Sequence, residues 1–531
     1  MRLAIGANRS RVVRQLLTEG LVLSLAGGAA GLVLTFWALR LLWASIDPML
    51  PLLLVVDARP DIRVLAAAFG FAMLSTLAFG LGPAWRLART DVVTELKEGE
   101  RAGAEGRARR FGFRQLLVVG QIALSLALLT AAGLFARGAS RAEPGFSLDG
   151  SVLVSLDPSL AGFDEARGRE LYRRVLERTR ALPGVEAASL ASVVPFGDFT
   201  EERRVRKVGD AASGGGQPDD TEGTTVNYGS GPSGPGDDRG GVSASFYVIG
   251  RDYFQALGIP ILRGRGFTEA EELSASGPRV AIIDEPLAKR LFPGGTPLGQ
   301  LVYFPGRDEP DKRPLEIVGL VRGTRHNLFD RDPVPHVFVP FGQRYRASMT
   351  LHLRKARSGA EAEAATLQGV RREIRALDER VPIFAVTTMR DFRDRSMSSW
   401  LVRASANLFA VFGGLAMFLS VVGVYGVRAY LVSRRSREIG IRMALGADAR
   451  AVMWLVLREG LVLVAVGLGS GFVLAALTGL AVARLVYEVG AFDPLIFTLA
   501  PLLLALATLL ACYVPARRAT RVAPVVALRA E

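Results

Sequence analysis

The sequence predicts an α-helical polytopic membrane protein with six transmembrane helices and a large extracytoplasmic α+β domain. Half of its 531 residues are hydrophobic, and the mean hydropathy is positive at +0.28. Such a composition is typical of proteins that cross a bilayer. Apolar runs long enough for a hydrocarbon core of roughly 30 Å lie at residues 21–44, 64–83, 116–135, 404–430, 460–486 and 495–514. The first run is too long for a cleaved signal peptide and predicts an anchor.

The basic residues predict the orientation of these spans. The net charge is +14, and arginines crowd the N-terminus, the 84–115 linker, the 431–459 segment and the C-terminus. The short loops 45–63 and 487–493 are instead acidic. The positive-inside rule therefore predicts cytoplasmic termini, an inner-membrane location and contact with membrane lipid. Because the charge follows the topology, it argues against a nucleic-acid partner.

The inventory of reactive residues predicts neither catalysis nor a metal site. The chain has one cysteine, Cys512, and three histidines, His326, His336 and His352, too few for a disulfide framework or a Cys/His cluster. No Gly-Lys-Ser or Gly-Lys-Thr occurs, so a P-loop is absent from the sequence. We therefore expect no catalytic residue and no cofactor in this chain.

Residues 137–403 predict a globular domain of α+β type. "SVLVSLD" from Ser151 alternates like a strand, and the segment from Asp164 has the pattern of an amphipathic helix. A second helix is predicted over 360–377, with a strand directly after it. The Gly/Ser/Pro/Asp-rich tract 209–241 is too poor in apolar residues to order. It predicts a disordered insertion, and a mobile binding lip is the alternative.

The two ends of the chain are related by an internal duplication. "MRLAIGANRS" at the start resembles "IRMALGADAR" from Ile441, and residues 1–99 align with 441–531. Each copy carries a Gly-x-x-x-Gly pair in its first span, Gly27 with Gly31 and Gly467 with Gly471. This spacing predicts close helix packing.

Five segments follow from these patterns. We expect a partial transmembrane unit at residues 1–99 and a basic cytoplasmic linker at 100–113. The third span follows at 114–136, the α+β domain at 137–403 and a second transmembrane unit at 404–531.

The segment "SRRSREIGIRMALGADARAV" (433–452) resembles the signature of permease subunits of MacB/FtsX-type ABC transporters. "YFQALGIPILRGRGFTEAE" (253–271) is similar to phrases of their outer domain. The resemblance implies four spans per unit and an outer domain of MacB periplasmic-core type, a plan that residues 114–531 match. The tandem layout is most similar to the acidobacterial duplicated orphan permeases. Against that pattern the first unit lacks two spans and an outer domain, so we expect a misassigned start or a truncated gene.

The resemblance also implies a docking segment for a P-loop ATPase subunit. Glu438 and Arg442 are four residues apart and can pair on one helical face. A basic juxtamembrane anchor is the alternative that the residues leave open. The positions that match the family motif are Arg437, Glu438, Gly440, Arg442, Gly446 and Ala447, and their duplicates include Arg2, Gly6 and Ala7. A homodimer or pseudo-dimer and a periplasmic adaptor are further partners that we expect.

The resemblance implies that the spans relay ATP-driven motion to the outer domain rather than form a polar channel. Few polar residues lie in them, namely Gln121, Ser125, Asn407 and Ser420. No glycine or proline interrupts Met389–Phe409, which predicts a rigid helical stalk into the fourth span. The resulting hypothesis is ATP-driven export or extrusion. Two alternatives are an FtsX-like regulator of an extracytoplasmic enzyme and a membrane scaffold or sensor.

Overall fold

The predicted first span forms one long helix, α1 (Arg9–Ile46), in a unit that comprises Met1–Gly112. A second helix, α2 (Ile62–Phe71), follows Asp61, whose Oδ1 accepts a hydrogen bond from the backbone N–H of Arg63 at 2.9 Å. These elements belong to a computed structural model, which describes residues 9–46, 61–71, 73–74, 113–141, 144–197, 199–209, 224–226, 241–273, 277–305, 313–326, 333–355, 360–434, 439, 441–443, 445, 448–485 and 490–520.

The second unit, Phe113–Glu531, contains the globular domain and four long helices. Its helices are α3 (Phe113–Arg141), α4 (Glu165–Arg180), α5 (Tyr253–Leu257), α6 (Glu269–Leu273), α7 (Glu285–Leu291), α8 (Ala360–Leu377), α9 (Met389–Asp394), α10 (Met397–Arg434), α11 (Ala449–Leu485) and α12 (Pro494–Ala519). Its strands are β1 (Ser151–Leu156), β2 (Val185–Ala191), β3 (Phe199–Lys207), β4 (Thr224–Val226), β5 (Val242–Ile249), β6 (Ile261–Gly264), β7 (Val280–Asp284), β8 (Leu301–Tyr303), β9 (Leu315–Val321), β10 (His336–Pro340), β11 (Met349–Lys355) and β12 (Ile383–Thr388).

Five helices of the described residues are long and apolar enough to cross a membrane. They are α1, α3, α10, α11 and α12, which coincide with the predicted first, third, fourth, fifth and sixth runs. The predicted second span, 64–83, is described as helix α2 only at its start, and 75–83 lie outside the described residues. The count of six therefore stays a prediction. Helix α11 begins at Ala449, well before residue 460, because Asp448 accepts a hydrogen bond from Arg450 N–H at 3.5 Å and starts the helix early.

The strands form one twelve-stranded sheet in the order β12-β1-β11-β2-β5-β10-β7-β9-β8-β3-β4, with β6 beside β9. An extra pairing of β3 with β5 closes six of these strands into a ring. Helices α4 and α8 cover one face of the sheet, where Tyr172 and Val370 are fully buried. Both helices follow the predicted pattern: Asp164 caps α4 by accepting from Arg167 N–H, and α8 begins and ends at the predicted residues.

The predicted insertion at 209–241 contains one ordered strand. Thr224–Val226 pair antiparallel with Phe199–Glu201 at the edge of the sheet. A free sheet edge offers backbone partners even to a sequence with few apolar groups, and the disordered insertion stays a prediction. Residues 210–223 and 227–240 lie outside the described residues.

The predicted stalk from Met389 to Phe409 is not one helix. Helix α9 ends at Asp394, and α10 begins at Met397. Ser396 lies between them with its hydroxyl donating to Arg393 O at 2.7 Å and accepting from Ser399 N–H at 3.3 Å. A serine at this position competes with the helical backbone and caps the next helix. The continuous stalk is therefore wrong, and its break does not need a glycine or proline.

Helix α3 is the central helix of the bundle. Half of the residues in its most apolar 18-residue stretch are buried, compared with 17–33% in the corresponding stretches of α10, α11 and α12. Helix α10 approaches it through glycines: a Cβ built on Gly413 would lie 3.0 Å from the Leu129 side chain, and one on Gly423 would lie 3.0 Å from Gln121 Oε1. Ser125 and Ser420 also share a hydrogen bond of 3.2 Å between the two helices. Two of the polar residues predicted in the spans therefore pair with each other.

The second predicted glycine pair lies where α11 crosses α3. A Cβ on Gly467 would lie 2.8 Å from the side chain of Ile122, and one on Gly471 would lie 3.0 Å from Ala123 Cα. Gly469, on the same helix, has open space at its Cβ position. The backbone of α11 thus reaches α3 only because two of its residues lack side chains.

The first glycine pair has a different environment. A Cβ on Gly27 or Gly31 would meet no atom within 4 Å among the described residues. Its predicted packing role therefore has no contact to support it there.

We predict that Gly467→Ala destabilises the protein, whereas Gly469→Ala does not. The new methyl group at residue 467 must displace Ile122, and overpacking of this kind costs about 1–3 kcal/mol. The same change at residue 469 meets open space and gains helix propensity. Thermal unfolding of the full chain in detergent measures both. Equal midpoints for the two variants would contradict the close contact between α11 and α3.

Candidate coupling site of the helix bundle

The predicted docking segment is described at only some of its residues. Arg442 is described and its side chain is exposed, whereas Arg437, Glu438, Gly440, Gly446 and Ala447 lie outside the described residues. The predicted duplicates, Arg2, Gly6 and Ala7, also lie outside them. The docking role and the predicted pairing of Glu438 with Arg442 therefore stay predictions.

The described part of this segment packs onto the bundle end that is distant from the globular domain, which we call the distal end. Ile439 is 6% exposed and lies in a small cluster with Val432, Met443 and Val452. A cleft opens here between α10, α11 and the segment. It is lined by Arg428, Leu431, Val432, Ile439, Arg442, Leu455, Val456 and Glu459.

A buried ion pair forms the inner wall of this cleft. Arg428 Nη1 of α10 lies 3.4 Å from Glu459 Oε2 of α11, and the guanidinium also donates to the Glu459 backbone carbonyl. The Arg428 side chain is 3% exposed and that of Glu459 is 26% exposed. A buried charge is stable only with a partner of this kind. The pair therefore ties α10 to α11 at the distal end.

Helix α12 joins the same site. A Cβ on Gly460 would lie 2.7 Å from Cys512 Sγ and 3.7 Å from Arg428 Nε, so this glycine admits both groups. Arg518 Nη1 of α12 also donates to Tyr425 Oη of α10 at 2.9 Å. Three helices are thus joined by polar contacts at their distal ends.

Sequence reasoning missed this pair. The polar residues predicted in the spans do not include Arg428, which lies inside the apolar helix α10. One signal was available: the duplication repeats the pair Glu459-Gly460 as Glu19-Gly20. One arginine lowers the mean hydropathy of a long apolar run only slightly. The partner of Arg428 lies 31 residues away along the chain.

A second ion pair lies at the opposite, proximal end of the bundle. Arg137 Nε of α3 lies 2.5 Å from Asp493 Oδ2. The other carboxylate oxygen of Asp493 accepts from Leu495 N–H at 3.0 Å and so caps α12. One carboxylate therefore starts α12 and holds it to α3.

An apolar cluster continues from the proximal end into the globular domain. Leu134 and Phe135 of α3, Val402 of α10 and Val482 of α11 belong to the same cluster as buried strand residues such as Tyr247. Phe135 also stacks on Phe409 of α10, with ring centroids 5.6 Å apart. The helices and the domain therefore share one core.

The described residues show no catalytic constellation and no group of three His, Cys, Asp or Glu side chains that could hold a metal. The aromatic residues Tyr253, Phe292 and Phe341 are buried in the domain core. What the arrangement offers is mechanical: polar contacts at both bundle ends and a continuous apolar core.

Two family models match the chain. A MacB-like periplasmic core domain matches residues 116–368, and the FtsX-like permease C-terminal family matches residues 1–92 and 410–524. The second family therefore matches both copies of the duplication. The duplicated subtype itself stays a prediction.

Similar proteins include "Macrolide export ATP-binding/permease protein MacB" of Azoarcus sp. (strain BH72), 28% identical over 83% of this chain and 61% of that protein. The MacB protein of Rhodospirillum rubrum is 32% identical over 54% of this chain and 42% of its own length. "Pyoverdine export ATP-binding/permease protein PvdT" of Pseudomonas putida is 29% identical over 55% of this chain and 44% of its own length. The chain thus spans 61% of the first relative and under half of the other two.

Among solved structures, the periplasmic region of MacB from Actinobacillus actinomycetemcomitans aligns with a TM-score of 0.27 and 13% identity, over 47% of this chain and 93% of that one. The two family models leave only residues 93–115, 369–409 and 525–531 unmatched. The chain belongs to the MacB/FtsX type of ABC transporter permeases.

Proposed function

We propose that this chain transmits movement of a P-loop ATPase at the distal end of the bundle to the globular domain, and that this movement drives export. The observation that carries the proposal is the core shared by the helices and the domain. A displacement of α3, α10 or α11 changes the packing of the domain directly, because close-packed interiors transmit strain.

The orientation follows from the charges. The distal end carries the arginine-rich segments, so the positive-inside rule assigns it to the cytoplasm, and the globular domain lies outside the inner membrane. This orientation puts the cleft at Arg442 where a cytoplasmic ATPase can reach it. It puts the domain where an adaptor or cargo can bind.

The relatives indicate the direction of movement. Their names state macrolide export and pyoverdine export, together with ATP binding. We therefore assign export to this chain and ATP hydrolysis to a P-loop domain outside these 531 residues. The same names favour an exporter over an FtsX-like regulator of an extracytoplasmic enzyme.

We predict that Arg442→Glu removes the ATPase partner. Arg442 is exposed beside the cleft, and reversing an interfacial charge replaces attraction with repulsion. At least about tenfold less ATPase, equivalent to 1.4 kcal/mol, should copurify with a tagged full chain expressed in its native host. Quantitative mass spectrometry of the detergent extract measures the ratio.

Arg517→Glu is the matched control, since Arg517 is an exposed arginine on the final turns of α12. It should keep the ATPase. If no P-loop protein copurifies with the unaltered chain, the result favours a scaffold or sensor that uses no ATPase. Equal loss in both variants would indicate a general charge effect and contradict docking at the cleft.

We predict that the Arg428–Glu459 pair is needed for transmission. Glu459→Gln leaves the more deeply buried charge, Arg428, without its carboxylate, so it should cost more than Arg428→Met, on the order of 3 kcal/mol. The double variant should recover part of this loss, since no lone charge remains. Unfolding in detergent measures the coupling.

The functional measurement uses the variants that still fold. Arg428→Met should keep copurification of the ATPase and lose most ATP-dependent export, because the helix ends no longer move together. Arg458→Met, one residue from Glu459 but exposed, is the control and should retain export. Normal export by Arg428→Met would show that the ion pair only stabilises the bundle.

A further inference from the structure

One of the three histidines contacts a carboxylate inside the globular domain, and a second histidine contacts the first. His336 Nδ1 lies 2.8 Å from Asp284 Oδ2, and His336 Nε2 lies 3.1 Å from His326 Nδ1. The far nitrogen of His326, Nε2, lies 3.0 Å from Thr324 Oγ1. Asp284, His336, His326 and Thr324 therefore form one line of hydrogen-bonded groups, which we call the histidine chain.

The histidine chain is enclosed. Asp284 and His336 are each 1% exposed, and His326 is 8% exposed. Asp284 stands at the end of β7 and caps α7 by accepting from Leu287 N–H at 3.0 Å. His336 opens β10, and His326 lies in the loop after β9. Three separate elements thus converge on one buried carboxylate.

Electroneutrality determines how many protons this chain can hold. A buried carboxylate is costly without a cation. If both imidazoles were neutral, Asp284 would have no cationic partner in the histidine chain. If both were cations, His326 Nδ1–H and His336 Nε2–H would face each other across 3.1 Å, with two like charges adjacent. One cationic imidazole avoids both costs.

The hydrogen bonds accommodate this single charge on His336. A cationic His336 donates from Nδ1 to Asp284 and from Nε2 to His326 Nδ1, and neutral His326 donates from Nε2 to Thr324. The Tyr247 hydroxyl contacts the same His326 Nδ1 and can donate there only when His336 does not. We propose that the histidine chain is a proton-binding site that carries one exchangeable proton, held as the His336 imidazolium.

The surroundings support a single proton. The titratable groups that the described elements bring to the two imidazoles are Asp284 from β7 and Tyr247 from β5, and Arg325 is the adjacent cation along the chain. Burial, and then the charge of His336, lower the pKa of His326 well below its ordinary value. Folding stability therefore falls as the pH drops below about 6.5, because the unfolded chain takes up a proton at His326 that the folded chain rejects.

The proton site is connected to the place where α3 enters the domain. Arg325 N–H donates to Pro144 O at 2.9 Å, and Phe196 N–H donates to His326 O at 2.9 Å. Phe146 packs edge-on against the His326 ring, with centroids 6.1 Å apart, and shares the apolar cluster with Phe135 of α3. Loss of the proton turns His336 Nε2 into an acceptor, so His326 must either move its own proton to Nδ1 and stop donating to Thr324, or lose its hydrogen bond to His336. Either change alters the hydrogen bonds beside this junction. The proposed orientation implies that this proton comes from outside the cell. The proton site itself does not depend on that orientation.

Nitrogen-15 solid-state NMR tests the proton assignment on the full chain in lipid membranes. Labelling only histidine gives three residues, and His336→Gln identifies one of them. At about pH 7 we expect one imidazolium, at His336, and a neutral His326, because burial holds the pKa of His326 well below its ordinary value. His352 is the internal reference: burial lowers its pKa to about 3, so it should stay neutral throughout. Three neutral rings at pH 7, or two imidazolium signals appearing together, would overturn the proposal.

Asp284→Asn tests the connection to α3. Asparagine keeps a helix-capping oxygen but removes the charge that holds the proton, so the imidazolium signal should vanish. Amide exchange at Arg325 and Phe196 should become about tenfold faster than in the unaltered chain at the same pH. Retention of the imidazolium would refute the proton site, and unchanged exchange would refute its coupling to the junction.

Discussion

The close approach of α10 and α11 to α3 is the constraint on which the rest of the second unit depends. Glycines supply this approach at Gly413, Gly423, Gly467 and Gly471. Apolar side chains alone drive little association between helices in lipid, because lipid tails are equally apolar. Contact between the backbones supplies the packing instead. The central position of α3 then determines where the other helices and the globular domain can sit.

The two ion pairs complement this packing because they lie at opposite ends of the bundle. Arg137 with Asp493 joins α3 to α12 beside the domain, and Arg428 with Glu459 joins α10 to α11 at the distal end. Between them the described helices pack closely through their glycines, and Ser125 hydrogen-bonds to Ser420. Close packing between two joined ends resists separation of the helices. A force at the distal end would therefore reach the domain as movement of whole helices.

The sequence predicts the elements of this structure better than their contacts. Hydrophobic runs locate four spans of the second unit, and the periodicity after Asp164 and over 360–377 locates the two helices on the sheet. These signals are local, because they arise from one face of one element. The histidine chain joins Asp284 to His336 across 52 residues, and Arg428 meets Glu459 across 31. No local pattern reports such pairs, so the candidate site is predicted only in part.

The break at Ser396 shows a different reason for failure. The predicted rigid stalk rests on the absence of glycine and proline, which break helices through their backbone. Serine ends and starts helices through its side chain, and Ser396 bonds to both Arg393 and Ser399. The result is a joint between α9 and α10, at the position where the domain meets the bundle. Across this joint Met389 and Val402 share the apolar core, although the helix is not continuous.

The duplication shows how the same sequence pattern can have different contacts. Asp61 and Asp493 occupy matching positions and both cap the helix that follows. A cap is a local interaction, so both copies make it. The glycine pairs also match in sequence, but only Gly467 and Gly471 contact a helix among the described residues. A Gly-x-x-x-Gly pair creates a surface that accepts a helix, and α3 is the helix that occupies it in the second copy.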